Sequence, residues 1–366
     1  MHDSGTRADE GDAAFMRRAL TLAGKGWGQV APNPLVGAIV VRDGKVVGRG
    51  WHRRFGAPHA EVEALRAAGS LSRGATIYVT LEPCNHTGKT PPCVDALIAA
   101  GVQRVVVATR DPSPAAGGGA ERLRAAGIEV TFGVEEAAAR ELVAPFLFAL
   151  ESDRPWVTLK LALSLDGAVA DASRSAGWLT SVASRREVHR LRAGSDGVGV
   201  GLGTVRADNP ALTVRDVPAP RVPPVRVVFT RRGELPLTST LALTATEIPT
   251  VVVGEAVALA HARALMALGV EVLAATSLVE AMRGLRQRGL RSLLVEGGSV
   301  LAGALLSASL VDRLVIFQAP VILGAGSLNA FDGVPAVTVS GARRLPVIGR
   351  RGFEDDEMTI YALRPI

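Results

Sequence analysis

His59-Ala60-Glu61, followed by Leu81-Glu82-Pro83-Cys84-Asn85-His86-Thr87-Gly88-Lys89-Thr90-Pro91-Pro92-Cys93, is the stretch that decides how the first part of this chain folds. One histidine and two cysteines offer three ligands to a metal. A zinc ion held by three protein groups keeps an open position for water, the arrangement of a catalytic rather than a structural centre. Glu61, two residues beyond the histidine, serves better as an acid and base than as a fourth ligand. The spacing predicts a helix opening near His59, a strand over 76–80 and a second helix opening at Cys93. Ligands at two helix N-termini are favourable, because the free N–H groups and the dipole stabilise thiolate. Zinc would bring its bound water near neutrality, giving hydroxide as nucleophile, and Glu61 would move the proton to a leaving amine. The competing reading is a structural zinc clip with His86 as fourth ligand.

Outward from this stretch, 366 residues suggest two domains, at roughly 150 residues each. Hydrophobic residues make up 48% of the chain, enough for buried sheets. No run of about 18 apolar residues escapes a charge or breaker, so no membrane span is expected. The polar, acidic N-terminus lacks the apolar core of a signal peptide. Two cysteines make no disulfide framework, and a reducing cytoplasm would keep both available as thiolates. The net charge of +6 comes from scattered arginines without a basic block or interleaved aromatics. That pattern excludes nucleic acid as the expected partner and suits small anionic molecules.

Apolar runs alternating with helical segments give an α/β pattern throughout. Helices are predicted over 12–24, 120–126 and 135–150, and strands over 36–41, 46–48, 104–108 and 128–132, with Asp43-Gly44 as a hairpin turn. Arg154-Pro155 marks the boundary between domains over 12–150 and 155–366. In the second domain, strands are predicted over 156–163, 196–200, 225–230, 250–253, 270–274, 292–295, 313–318 and 358–363. Helices are predicted over 184–192, 261–268, 278–287 and 300–309. A Pro-rich stretch (Pro218, Pro220, Pro223, Pro224) intervenes. Glu296-Gly297-Gly298-Ser299, between a strand and a helix, is a physically sensible phosphate cradle or a tight turn without ligand. The run from Gly197 to Gly203 does not fit G-x-G-x-x-G, which disfavours a standard dinucleotide fingerprint.

His-x-Glu with Pro-Cys resembles the cytidine-deaminase-like superfamily, whose usual signature spaces the cysteines as P-C-x-x-C. Here eight residues, Asn85 to Pro92, separate them. Together with Pro32-Asn33-Pro34-Leu35-Val36-Gly37, Gly50-Trp51-His52 and Asp111-Pro112-Ser113-Pro114, this stretch resembles the deaminase half of the bifunctional riboflavin-biosynthesis deaminase/reductase family. Lys160 to Gly167, Trp178-Leu179-Thr180-Ser181, Leu191-Arg192-Ala193, Thr204 to Arg215 and Val295-Glu296-Gly297-Gly298 resemble its reductase half.

The resemblance implies an N-terminal cytidine-deaminase-like three-layer α/β/α domain and a C-terminal dihydrofolate-reductase-like α/β domain. It implies Zn2+ on His59, Cys84 and Cys93, with Glu61 as proton carrier. Asn33, His52, His86 and Lys89 would hold a phosphorylated pyrimidine, although His52 and His86 also suit packing, and Lys89 a solvated loop. NADPH would lie against Ala162, Trp178, Thr204, Asp208 and Gly298, Ser299, Val300, Leu301, Ala302, Gly303 and Ala304. Arg231 would touch its 2′-phosphate or face solvent. Lys160, Ala176, Arg192, Leu212, Arg215 and Glu296 would face the reductase substrate; Ala176 and Arg231 stand where the family often has hydroxyl residues. The activity implied is deamination of 2,5-diamino-6-(5-phosphoribosylamino)pyrimidin-4(3H)-one, then NADPH-dependent reduction of its ribosyl group. A homo-oligomer is expected. The alternatives are a nucleoside, nucleotide or tRNA deaminase with an unrelated C-terminal module, and a non-catalytic zinc-clipped binding protein.

Overall fold

The computed structural model describes residues 6–113, 117–174 and 177–366; Pro114, Ser175 and Ala176 lie outside them. The chain divides between Leu150 and Glu151 into two compact units, just ahead of Arg154-Pro155. Among the described residues no helix is long and apolar enough to cross a membrane.

The first unit runs α1 (Thr6–Ala23), β1 (Gly37–Arg42), β2 (Lys45–Trp51), α2 (Ala60–Ala68), β3 (Thr76–Leu81), α3 (Cys93–Ala100), β4 (Arg104–Thr109), α4 (Gly119–Ala125), β5 (Glu129–Phe132), α5 (Glu136–Leu142) and α6 (Ala144–Glu151). Its sheet has the order β2-β1-β3-β4-β5, antiparallel about β1 and parallel from β3 to β5. Alternation along the strands feeds two cores. Ala38, Val40, Ile77, Val79, Val105 and Val107 pack with the α2 and α3 side chains, and Ile39, Val41, Tyr78, Val106 and Ala108 pack with Met16, Ala19 and Leu22 of α1. This is the three-layer α/β/α arrangement. Asp43 and Gly44 both have positive φ (51° and 72°), as the tight hairpin turn between β1 and β2 requires. The helix expected over 135–150 is instead two helices, since Pro145 lacks the N–H that would continue α5.

Two glycines of β2 set the site helix against the sheet. A Cβ at Gly50 would lie 2.2 Å from the Ala60 carbonyl oxygen, and one at Gly48 2.2 Å from that of Ala64. Only glycine admits this approach.

The second unit runs β6 (Trp156–Leu163), β7 (Ala168–Ala170), α7 (Val182–Ala193), β8 (Gly197–Gly201), α8 (Leu202–Asp208), β9 (Val225–Phe229), α9 (Thr240–Leu243), β10 (Thr250–Gly254), α10 (Leu259–Ala267), β11 (Glu271–Ala274), α11 (Leu278–Gln287), β12 (Ser292–Glu296), α12 (Ser299–Ser307), β13 (Arg313–Gln318), β14 (Leu328–Asn329), β15 (Val347–Phe353) and β16 (Asp356–Ala362). Nine strands form one sheet in the order β11-β10-β9-β8-β12-β6-β13-β16-β15. Pairing is parallel from β11 to β13 and antiparallel at β16 and β15. The glycine-rich run is largely strand β8, where the missing side chains leave room for Phe229 and Leu293. The sequence gives no sign of β7, β14 or β15. The first two are too short to show a period, and β15 (VIGRRGF) interrupts its alternation with glycines and arginines.

One buried carboxylate closes this unit. Asp312, fully buried, accepts from Arg154 Nη1 and Nη2 (2.7 and 2.8 Å), Arg364 Nε (2.9 Å) and the Val157 amide (2.9 Å). The first and last strands of the unit are thereby tied to β13. Removing the acid takes two charge-assisted bonds from the half-buried Arg154 and one from the Val157 amide, and breaking such a pair costs about 3–5 kcal/mol. Asp312→Ala should lower the denaturant midpoint of the second unit accordingly; an unchanged midpoint contradicts the role.

Candidate functional sites

His59 is the N-cap of α2 and Cys93 the first residue of α3, while Cys84 follows the end of β3. Strand and helix termini thus meet at one point. His59 Nδ1 lies 3.5 Å from Cys84 Sγ and 3.3 Å from Cys93 Sγ, and all three ligand atoms fall within 4.8 Å of one another. Such separations suit donors about 2.0–2.3 Å from a shared tetrahedral zinc. Among the described residues no fourth His, Cys, Asp or Glu joins the cluster. His86 is exposed and outside it, which removes the four-ligand clip. The Cys93 amide donates to Cys84 Sγ (3.4 Å), so the start of α3 answers the sulfur. Cys93 beside it, and His59, pull the Cys84 thiol below its usual value, against burial.

Glu61 completes the centre. It is buried, its Oε2 has no hydrogen-bond partner among the described residues, and burial pushes its carboxyl up to about 7, against the pull of His59. A buried polar atom without a partner is costly. Here the oxygen lies beside three ligand atoms, so the donor set and the open carboxyl both fit zinc and the water it would activate.

Around this centre, His52 Nδ1 donates to the Pro58 carbonyl (3.2 Å), leaving Nε2 to accept from the Asn33 amide (3.2 Å). Its ring stands edge-on to His59, with centroids 5.2 Å apart. Burial lowers the pKa of His52, against the Pro58 hydrogen bond. His86 and Lys89 sit in the exposed loop between the cysteines, and the Lys89 ammonium lies 4.2 Å from the Phe55 ring centre. Glu82 and Asp111 hold backbone instead. Glu82 accepts from the Asp111 and Ala120 amides, and Asp111 from the Ser113 amide.

In the second unit a cleft of about 1430 Å³ opens along the C-terminal ends of the parallel strands, the usual place for ligands in such sheets. It exceeds the roughly 300–1,000 Å³ of a single small-ligand site, which leaves room for a cofactor and a substrate together. Parallel pairing of β6 with β12 sets Lys160 directly beside Glu296. Arg192, near the end of α7, grips Glu296 with two bonds (2.5 and 2.8 Å) and donates to the Thr213 carbonyl (2.8 Å). Burial pulls the Lys160 ammonium below its usual value, opposed by Glu296. Burial works to raise Glu296, but Arg192 and Lys160 outweigh it and hold the carboxyl low. Lys160 also sits 5.6 Å from the Phe317 ring centre.

Ala162, Trp178, Thr204, Asp208, Arg231, Gly298, Ser299, Val300, Leu301 and Ala304 line the cleft, as do Lys160, Arg192, Leu212, Arg215 and Glu296. Ala302 and Gly303 do not. Ala302 is buried in the core, and a Cβ at Gly303 would meet the Asp332 carbonyl oxygen at 1.8 Å, so both occupy the packed face of α12. Ala176 lies outside the described residues. Gly297 and Gly298 have positive φ (69° and 84°), and a Cβ at Gly298 would come 3.3 Å from Thr204 Oγ1. They form a backbone cradle before the N-terminus of α12 that fits a phosphate of a dinucleotide. Asp171, Arg185 and His189 also line the cleft, and no sequence motif marked them.

Two family models cover these units: "Cytidine and deoxycytidylate deaminase zinc-binding region" matches residues 9–109, and "RibD C-terminal domain" matches residues 155–345. Fold and site therefore define a zinc-dependent deaminase joined to a reductase. Riboflavin biosynthesis protein RibD of Aquifex aeolicus is 46% identical over 318 residues, 86% of this chain and 88% of that one. Its counterpart from Escherichia coli is 42% identical over 86% of this chain and 89% of that one. The crystal structure of a diaminohydroxyphosphoribosylaminopyrimidine deaminase/5-amino-6-(5-phosphoribosylamino)uracil reductase from Thermotoga maritima superposes with a TM-score of 0.84 at 37% identity, covering 97% of this chain and 99% of that one. Acinetobacter baumannii RibD superposes with a TM-score of 0.82. This chain belongs to the RibD family, the bifunctional deaminase/reductases of riboflavin biosynthesis, whose cofactors are zinc and NADPH.

The three-ligand centre makes a direct prediction for metal content. Wild-type protein should carry about one zinc per chain, His86→Ala should keep it, and Cys93→Ser should lose most of it by elemental analysis. Full zinc in Cys93→Ser contradicts the assignment.

Proposed function

We propose that residues 12–150 carry out the deamination and residues 155–366 the reduction, with the division of labour among side chains as follows. The observation that carries the first half is the unpartnered Glu61 Oε2 beside His59, Cys84 and Cys93. Zinc on those three residues supplies the Lewis acidity that makes water nucleophilic near neutral pH. Glu61 accepts a proton from the attacking water at Oε2 and returns it to the C2 amine of the diaminopyrimidine, which departs as ammonia while C2 gains the oxygen. Asn33 and His52, already joined to each other, orient the ring. His86 and Lys89 lie in the exposed loop, where they can reach the ribose phosphate.

In the reductase, NADPH supplies the hydride. Lys160 and Glu296 flank the accepting carbon, C1′ of the ribosyl group: as hydride adds to C1′ its bond to the ring oxygen breaks, and Lys160 offers the proton that this oxygen takes up. Arg192 is already committed to Glu296, whereas Arg215 is exposed in the cleft and has the free fork suited to the substrate phosphate. Leu212 carries the backbone beside it. Ala162, Trp178, Thr204, Asp208, Arg231 and the cleft-facing residues of α12 take the cofactor. The working partners are small phosphorylated pyrimidines, in a reducing cytoplasm that keeps Cys84 and Cys93 out of a disulfide and available as thiolates. A second copy of the chain is the expected protein partner. Val337, Val339, Val347 and Ile348, exposed near the outer strand β15, support this.

Purified protein given the diaminopyrimidine phosphate should release ammonia and yield the uracil, and adding NADPH should convert this to the ribityl product, as read by mass spectrometry. Turnover of cytidine alone, or no NADPH consumption when the uracil is supplied directly, contradicts the proposal.

A further inference from the structure

The cleft residues Leu212 and Arg215 lie on a strap, residues 209–216, that belongs to no helix or strand and bends at Asp216. Leu212 is nevertheless buried and has φ +51°, and Asp216 has φ +59°. Non-glycine residues hold such angles only where their surroundings fix them. Most of that fixing comes from one face of α7. Arg192 donates to the Thr213 carbonyl, and one turn earlier His189 Nδ1 lies 3.2 Å from the Arg215 amide and 3.1 Å from the Thr213 carbonyl. On the strap's other side, Arg226 Nη1 donates to the Ala211 carbonyl (3.4 Å).

A single ring nitrogen either donates or accepts. The Thr213 carbonyl already has the Arg192 guanidinium, whereas the Arg215 N–H can only donate, and His189 Nδ1 is the acceptor in reach. Satisfying both backbone groups therefore requires His189 with Nδ1 unprotonated. Its surroundings favour the neutral ring that this requires. Burial lowers its pKa first, and Arg192 on its own helix and Arg215 on the strap add to this, against Glu296 at the end of β12 and the Thr213 carbonyl.

We propose that His189 is a positioning residue of the reductase. By accepting the Arg215 N–H it holds the strap in the conformation that presents Leu212 and the Arg215 guanidinium to the substrate. The proposal rests on Arg215 as the phosphate-binding residue. Protonating His189 replaces the acceptor with a donor and releases the strap, so substrate binding weakens as pH falls through its lowered pKa.

The test uses the full-length enzyme with the phosphoribosylaminouracil and NADPH, comparing His189→Ala, His189→Gln, Arg215→Ala and the double variant His189→Ala/Arg215→Ala. Loss of one such hydrogen bond corresponds to roughly a three- to tenfold change. His189→Ala should raise KM for the uracil by that factor, leaving kcat and the KM for NADPH near wild type. His189→Gln, whose amide oxygen can accept, should restore most of it. The double variant should match Arg215→Ala alone, because the effect runs through that residue. Wild-type KM should also climb more steeply toward acid pH than that of His189→Gln. The substrate phosphate titrates equally in both, so this comparison decides the matter even where the alanine variant does not fold. A wild-type KM in His189→Ala beside a crippled Arg215→Ala enzyme, or identical pH profiles in wild type and His189→Gln, overturns the proposal. A wild-type KM in Arg215→Ala overturns instead the phosphate assignment beneath it.

Discussion

A charge taken out of water must be met by another charge or by a full set of hydrogen bonds. Asp312 shows the requirement fully met: two arginines and a backbone amide surround it, and it closes the second unit. Lys160, Glu296 and Arg192 meet it among themselves, leaving a cation and an anion poised at the cleft. Glu61 meets it only in part among the described residues, its Oε2 standing open beside His59, Cys84 and Cys93. A carboxyl pushed up to about 7 by burial can take and return a proton near neutral pH, which is the chemistry the metal centre needs. The two sites thus differ in how completely buried charge is balanced.

The scaffold makes that imbalance sustainable. Gly48 and Gly50 let α2 press against β2, so His59 and Glu61 are carried by a helix with little freedom to relax toward water. β3 ends beside the start of α3, which brings Cys84 and Cys93 together across the eight-residue loop. In the second unit the parallel register does the equivalent work. β6 beside β12 fixes Lys160 against Glu296, and α7 approaches from its own C-terminal turn with Arg192. Loops then add what regular structure does not carry, most clearly the strap with Leu212 and Arg215.

The metal centre was legible because its four residues sit at element ends set by short-range signals: a helix start at His59, the end of a hydrophobic strand before Cys84, and prolines before Cys93. The alternating pattern likewise announced the α/β layers. The Lys160–Glu296–Arg192 cluster was visible only as separate motifs, since its assembly depends on strand order, which spacing does not encode. Asp312 and His189 carried no signal, because each acts through backbone groups distant in sequence. Ala302 and Gly303 show a related limit. A run of seven residues on a helix cannot all face one cleft, and the packed face of α12 claims these two. β7, β14 and β15 owe their existence to partners rather than to their own residues.

The claim that buried Glu61 moves protons at the metal centre is tested most directly by Glu61→Gln, measured for zinc content, ammonia release and reduction of supplied phosphoribosylaminouracil on the same preparation. The account predicts undiminished zinc, unchanged NADPH-dependent reduction, and ammonia release lower by about 10²–10⁴-fold, the usual worth of a positioned acid–base group. Ammonia release within a few-fold of wild type, with zinc still bound, would contradict it.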